Sequence, residues 1–386
     1  MMITPRRVAI CGVGYSTVGR RLGLSVNDLV IQATNAALHD SGLDRSSIDG
    51  LCSVGSETLD DAWTLGIAPL NWFHTASAAG PAFAPAALSA IAAITSGFCE
   101  TAIALRIIQQ QPNSAQLLQG GSNSPAAARL AATSDKRQFS TPFGAGNPAQ
   151  FGGLMMQRYM IEYGTTEEQF GAHAVAQRSH AMLNEDALLR DPLSLDQYLA
   201  SPFVSKPLRL LDCDYPCDSG SAVIFTTEER ARDLRQPVVL VESYALSAIR
   251  DQNFEIMADM VRTAPAHCAA NLWRRTDLKP DDVDTAQLYD GFSVIAFQWL
   301  EALGFCGPGE AGPFVEAGHS RLGGQLPLNT DGGACNVGRR HGANFCIEAT
   351  RQLRGECGAR QVADAKVAAW ANGVGPFAGA ALLVRG

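Results

Sequence analysis

The chain writes one pattern twice. ALHDSGLDRSSIDGLCSVGS (37–56) aligns with LWRRTDLKPDDVDTAQLYDG (272–291), so that Leu43 falls on Leu278, Ile48 on Val283 and Asp49 on Asp284 at a single offset. A second pair follows in the same order. ALSAIAAITSGFCETAIAL (87–105) answers CIEATRQLRGECGARQVADAKVAAW (346–370), with Gly97 opposite Gly355. Each copy reads helix, turn, strand. Two echoes in one order point to two similar α/β halves, joined near residues 228–240. A chain of 386 residues is too long for one ordinary core, which fits two halves.

Local signals fill in the frame. Arg7 to Val13 reads as a buried strand. Gly12, Gly14 and Gly19 lack dinucleotide-fingerprint spacing, and no acidic residue ends a second strand where a ribose would need it. Ser25 with Asp28 marks a helix start, and Gly42 marks its stop. Between Ala62 and Cys99 there is no Asp, Glu, Lys or Arg. The stretch holds three prolines and is rich in Ala and Ser, so it predicts a helix buried all round, from about Ala82 to Thr95, and no membrane span. Gln109 to Asn147 is rich in Gln, Ser, Asn, Gly and Pro and reads as loop. After Tyr163-Gly164, Thr165 and Glu168 read as a capping box for a helix running to about Leu183. The expected division is an N-terminal half from 1–108 and 201–235, an inserted lid or docking domain at 109–200, and a C-terminal half at 236–386.

A net charge of −8 argues against a broad nucleic-acid surface. Ten cysteines show no Cys-x-x-Cys spacing, and Cys213 and Cys217 have no partner ligands near them in sequence, so no metal site is expected. Free thiols and the lack of a signal-like apolar run point to the cytoplasm.

RYMIEYGTTEEQFGAHAVAQRSHAMLN (158–184), RDPLSLDQYLAS (190–201) and PLRLLDCDYPCDSGSAVIFTTEERAR (207–232) resemble the sterol-carrier-type thiolases. LYDGFSVIAFQWLEALGFCGPGEAGPFVEAGHSRLGGQLPLNTDGGA (288–334) and HGANFCIEATRQLRG (341–355) are similar to the same group. The resemblance covers nearly the whole chain. It implies the α/β thiolase fold, two βαβαβαββ halves in a five-layer αβαβα stack, a homodimer as the usual core, and a CoA thioester as ligand.

In thiolases a cysteine sits at the N-terminus of the central buried helix, where the helix lowers the thiol pKa. The family spacing puts that position near Gly80, and no cysteine lies between Cys52 and Cys99. Ser77 is close but has no evident base. The second thiolase cysteine is replaced at WANGVGPFAG (370–379), with Asn372 or its neighbour in its place. The family's Gly-His-Pro position reads Gly338-Arg339-Arg340-His341-Gly342, and its fourth motif reads Tyr289-Asp290-Gly291-Phe292. The resemblance supplies a precedent: a branch of lipid-transfer-type homologues lacks these cysteines, uses tyrosine, and performs retro-aldol cleavage in steroid side-chain degradation. Tyr289 matches one such tyrosine, and the second would fall near Arg339. The branch also implies a small OB-fold partner carrying a zinc ribbon.

Retro-aldol chemistry needs a base on the β-hydroxyl and a stabilised enolate at the thioester oxygen. Tyr289 is the candidate base, and a nearby cation such as Arg339 would lower its pKa from about 10. His341 and Asn372 are candidate donors to the enolate oxygen. Each has a structural alternative: Tyr289 as a strand-end cap, His341 on a loop carbonyl, Arg339 and Arg340 facing solvent, Asp290 supporting its turn. Gly332, Gly333, Gly373 and Gly375 would allow tight turns and close substrate approach. Lys136, Arg137 and Arg158 would meet CoA phosphates or lie on the surface. No cofactor is expected beyond the coenzyme A of the substrate. The competing functions are an acyltransferase with another nucleophile and a non-catalytic scaffold that binds CoA esters.

Overall fold

A computed structural model describes residues 5–76, 83–110, 138, 140–143, 145, 147–250 and 257–386. Most strands carry near-continuous apolar runs, the signature of sheets covered on both faces. They are β1 (Val8–Tyr15), β2 (Gly50–Val54), β3 (Trp72–Thr75), β4 (Thr101–Ile108), β5 (Phe203–Ser205), β6 (Leu208–Arg209), β7 (Ser219–Thr227), β8 (Val239–Ala248), β9 (Thr285–Leu288), β10 (Val367–Val374) and β11 (Phe377–Arg385). Strands β5 and β6 form a separate ribbon, and the rest run in the order β3-β2-β4-β7-β1-β8-β11-β10-β9. The order is palindromic about the β1–β8 contact. The first half is β1, β2, β3, β4, β7. The second is β8, β9, then a single parallel bridge at Leu328 where a third strand would lie, then β10 and β11.

The helices repeat in step. They are α1 (Val26–Ser41), α2 (Thr58–Leu65) and α3 (Phe83–Thr95) in the first half, α4 (Pro148–Tyr163) and α5 (Glu167–Ala181) in the insertion, and α6 (Ala264–Trp273), α7 (Ser293–Ala302) and α8 (Ala343–Arg354) in the second half. Helices α3 and α8 touch strands of both halves and lie between them. Helices α1 and α6 cover the outer faces, giving five layers. The charge-free composition of α3 follows from that place, since nine of its thirteen residues are buried, but the helix is not buried all round as expected: Pro85, Ser89, Ala92 and Thr95 form a partly exposed stripe on one face.

The sequence echo is explained residue by residue. Asp49 accepts the amides of Glu100 at 3.0 Å and Thr101 at 2.8 Å, fixing the start of β4. Asp284 accepts the amides of Lys366 at 2.7 Å and Val367 at 2.9 Å, fixing the start of β10. Both aspartates follow a one-turn 3₁₀ helix, Arg45–Ser47 and Pro280–Asp282. Ser25 and Asp28 form the expected capping box of α1, worth about 1 kcal/mol. One cap differs. The N-cap of α5 is Thr166 with Gln169, one residue later than expected, because Gly164 closes α4 in the left-handed conformation and Thr165 becomes the link.

The described part of the insertion is anchored onto the loop after Leu328. Arg178 donates to Asn336 Oδ1 at 2.6 Å, Asn184 donates to the Asp331 carbonyl at 2.8 Å, and the Leu188 amide donates to the Asn336 carbonyl at 2.9 Å. No helix among the described residues is long and apolar enough to cross a membrane.

Candidate active site

The C-terminal ends of β9 and β10 meet the N-terminus of α3, and the chemistry-bearing residues gather there. Tyr289 follows β9 directly, and its amide donates to the Ala371 carbonyl at 3.0 Å. Its ring is buried edge-on to Phe345, with centroids 6.3 Å apart. Gly291 makes this placement possible: a Cβ there would stand 2.4 Å from the Tyr289 hydroxyl oxygen. Asp290 is fully buried, and its Oδ1 accepts the Ala334 amide at 2.9 Å. Among the described residues its Oδ2 makes no hydrogen bond of normal geometry, although the Gln177 side chain faces the carboxyl. Burial pushes the Asp290 carboxyl up to about 8, with Asp331 adding to the effect.

Arg339 is partly exposed but held by an ion pair. Its Nε and Nη2 reach Asp214 Oδ1 at 2.8 and 2.7 Å. Arg340 is buried, stacked 4.2 Å from the Tyr15 ring centroid, with Nη2 donating to the Val337 and Asp186 carbonyls. His341 is half-buried with φ +47°, in the left-handed region. Its carbonyl accepts the Phe83 amide at 3.3 Å, and its Nδ1 lies 2.5 Å from Arg106 Nη2. Asn372 is fully buried, and its Oδ1 accepts the Ala84 amide at 3.0 Å. His341 and Asn372 thus cap the first turn of α3 together, and Asn372 Nδ2 has no partner among the described residues.

The expected lowering of Tyr289 by Arg339 does not prevail. Burial, then Asp214, push the hydroxyl above the ordinary tyrosine range, while Arg339 and Arg106 pull it down. Arg339 brings its own counter-charge, so its field at the phenol is largely cancelled. Burial, Arg106 and Arg339 hold His341 well below the ordinary histidine range, so the ring is neutral.

Tyr289, Asp290, Arg339, His341 and Asn372 therefore come together as the sequence places them. Gly332, Gly333, Gly373 and Gly375 all take positive φ, as tight turns require, and three of them lie close against protein atoms. A Cβ at Gly332 would meet Ala181, at Gly333 Asp290 and Gln177, and at Gly373 Phe377 and Ala378. Arg158 lies elsewhere, exposed on α4 and paired with Glu162 at 3.0 Å, beside a groove of Met257, Asp259, Met260 and Arg262. Lys136, Arg137, Ser77 and Gly80 lie outside the described residues. Two members of the cluster escape sequence reasoning. Asp214 is one. Arg106 is the other, and its only signal is a single charge inside the apolar run TAIALRII.

Residues 247–385 match the family model described as thiolase C-terminal domain-like. The chain is 33% identical over 372 residues to the steroid side-chain-cleaving aldolase of Thermomonospora curvata, covering 92% of each protein. It is 33% identical over 359 residues to the 17-hydroxy-3-oxo-4-pregnene-20-carboxyl-CoA lyase of Mycobacterium tuberculosis, covering 90% of this chain and 92% of that protein. The solved structure of an Ltp2-ChsH2(DUF35) aldolase superposes with a TM-score of 0.89 at 31% identity, over 99% of both chains.

Proposed function

This chain belongs to the thiolase superfamily, within its lipid-transfer-type retro-aldolase branch, and on that premise we propose that it cleaves a β-hydroxyacyl-CoA with a bulky, steroid-like acyl group. The observation that carries this over acyl transfer is the state of the thiols. All ten cysteines are free, and burial pushes every thiol above its ordinary value, including Cys335 beside Asp290. A buried neutral thiol is a poor nucleophile.

In the proposed reaction Tyr289, as phenolate, takes the proton of the β-hydroxyl. The Cα–Cβ bond breaks, and its electron pair moves onto the thioester as an enolate. The β-carbon leaves as a ketone or aldehyde. Tyr289 then returns the proton to Cα, giving the shorter acyl-CoA, so protons balance over the cycle. The resting phenol must first ionise, and Arg106, which no carboxylate pairs among the described residues, offsets part of that cost. His341 and the unpaired Nδ2 of Asn372 are the proposed donors to the enolate oxygen. Asp290, wholly buried and holding the Ala334 turn, is proposed to support the loop. The scheme needs no resident cofactor, since coenzyme A arrives with the substrate.

We also propose a homodimeric core and, separately, an OB-fold, zinc-ribbon partner; the DUF35 protein named in the similar solved aldolase supports the partner alone. The test is Tyr289→Phe, assayed with β-hydroxyacyl-CoAs with and without such a partner. Loss of cleavage by about a hundredfold or more, with CoA-ester binding kept, is expected. Unchanged turnover would remove Tyr289 from the mechanism.

A further inference from the structure

The retro-aldol reading gives one buried cation, Arg106, no more than a share in easing the ionisation of Tyr289. Arg106 lies on β4, in the half of the chain that carries none of the motif residues. It is 6% exposed, and its guanidinium is oriented by backbone on one side: Nη1 donates to the Val54 carbonyl at 3.1 Å and to the Ile107 carbonyl at 2.7 Å. Gly55 leaves room for it, since a Cβ there would stand 2.4 Å from Nη1 and 2.1 Å from the Ile107 oxygen. The remaining Nη2 is aimed at His341 Nδ1, 2.5 Å away.

A guanidinium has only donors. A ring nitrogen facing one at this distance must present its lone pair. Nδ1 of His341 therefore carries no proton, and the single proton of the neutral ring sits on Nε2. We propose that Arg106 is a positioning residue that holds His341 in the Nε2–H tautomer, as a neutral hydrogen-bond donor to the thioester oxygen. The inference rests on the retro-aldol reading for the identity of the acceptor, but the tautomer is set by contacts already present in the protein.

The surrounding charges act in the same direction. Arg339 precedes His341 on the same segment, and both guanidinium groups disfavour an imidazolium. Asp214 compensates Arg339 through its ion pair, while no carboxylate pairs with Arg106 among the described residues. Tyr289, at the end of β9, feels both cations. The backbone is committed too. The left-handed φ of +47° lets the His341 carbonyl reach the Phe83 amide while the ring reaches Arg106. A neutral imidazole donor avoids a full ion beside the thioester, yet strengthens its bond as negative charge develops there.

The experiment is ¹⁵N NMR of histidine-labelled full-length protein, with His341 assigned by comparison with His341→Gln. The expected pattern is one protonated Nε2, one lone-pair Nδ1, and no titration between about pH 5 and 8. A proton on Nδ1, or a His341 titration in that window, would overturn the proposal. Kinetics give the second arm. Arg106→Met is expected to lower kcat roughly tenfold to a hundredfold with KM little changed, and to add an acidic limb near about 6.5, where a freed histidine ionises. Arg106→Lys keeps a donor and is expected to recover part of the rate without that limb. An Arg106→Met profile identical in shape to wild type overturns the assignment. If Arg106→Met does not fold, the wild-type NMR pattern and the lysine variant still decide. If the wild-type protein cleaves no β-hydroxyacyl-CoA, the retro-aldol reading falls, and the tautomer is still read independently.

Discussion

Adding one methyl group at Gly291 tests how closely the reaction depends on where Tyr289 stands. The methyl would lie 2.4 Å from the tyrosine oxygen and 2.6 Å from Cζ. Carbon atoms in comfortable contact are about 3.5–4.0 Å apart, so the ring must retreat by roughly 1 Å. It has little room to do so, because it is only 8% exposed and packs edge-on to Phe345. Gly291 is not among the glycines with positive φ, so alanine fits the backbone there and the conflict is steric alone. The stability cost expected for overpacking is about 1–3 kcal/mol, partly offset by the lower chain entropy of alanine in the unfolded state. The catalytic cost is larger in proportion, since a misplacement of about 1 Å can cost about a hundredfold in rate. Steady-state cleavage followed by mass spectrometry of the CoA products is expected to show kcat reduced about a hundredfold. KM should barely move, and a thermal melt should show a lowering of a few degrees. Wild-type kcat in a Gly291→Ala protein that melts a few degrees early would refute the reasoning, because the phenol would then be displaced without consequence.

Three further outcomes follow from the same geometry. Because Tyr289 is held above the ordinary tyrosine range, wild-type kcat should climb through pH 7–9 without a plateau, and Asp214→Asn, which removes a charge that raises it, should shift the profile to lower pH; a wild-type plateau below pH 8 would count against phenolate catalysis. Asp290, raised from 3.8 to about 8, binds its proton more tightly in the folded state, so folding stability drains away as pH rises from about 4 towards 8, at up to about 1.4 kcal/mol per unit. Asp290→Asn keeps an acceptor for the Ala334 amide and should melt higher than wild type at pH 8 but not at pH 4; equal differences at both would show that the carboxyl is not held protonated. Asn372→Ala removes the side-chain cap at Ala84 and should cost about 1–3 kcal/mol in denaturant unfolding, whereas an unchanged midpoint would mean the cap is replaced by solvent.

How much of this was legible in the chain depended on how local the cause was. Gly97 and Gly355 aligned in sequence, and both take the left-handed conformation, φ 77° and 78°, because each closes a central helix before the next strand. Asp49 and Asp284 aligned because each fixes the start of an equivalent strand. Those causes lie within one repeat. The Tyr289 motif could be found because its residues are consecutive. Arg106 could not, because its partner His341 is 235 positions away and a lone arginine in a strand ordinarily points to solvent. The sign of the Tyr289 shift was equally hidden. Arg339 was visible as a cation, but its charge is spent on Asp214, 125 positions earlier.

The same long-range pairing explains why losing the thiolase cysteine is a change of electrostatics and not one substitution. Helix α3 still points its positive end at the site, the device that in thiolases stabilises a thiolate. Here that end is already engaged. The amides of Phe83 and Ala84 are taken by the His341 carbonyl and Asn372 Oδ1, so two of the donors that would favour an anion are satisfied by the protein itself. His341 supplies that carbonyl from a positive φ, and in the same conformation its ring reaches Arg106. Capping the helix and setting the imidazole are thus one conformational choice. Restoring a cysteine at the mouth of α3 would leave both in place, so it should not by itself bring back an activated thiolate.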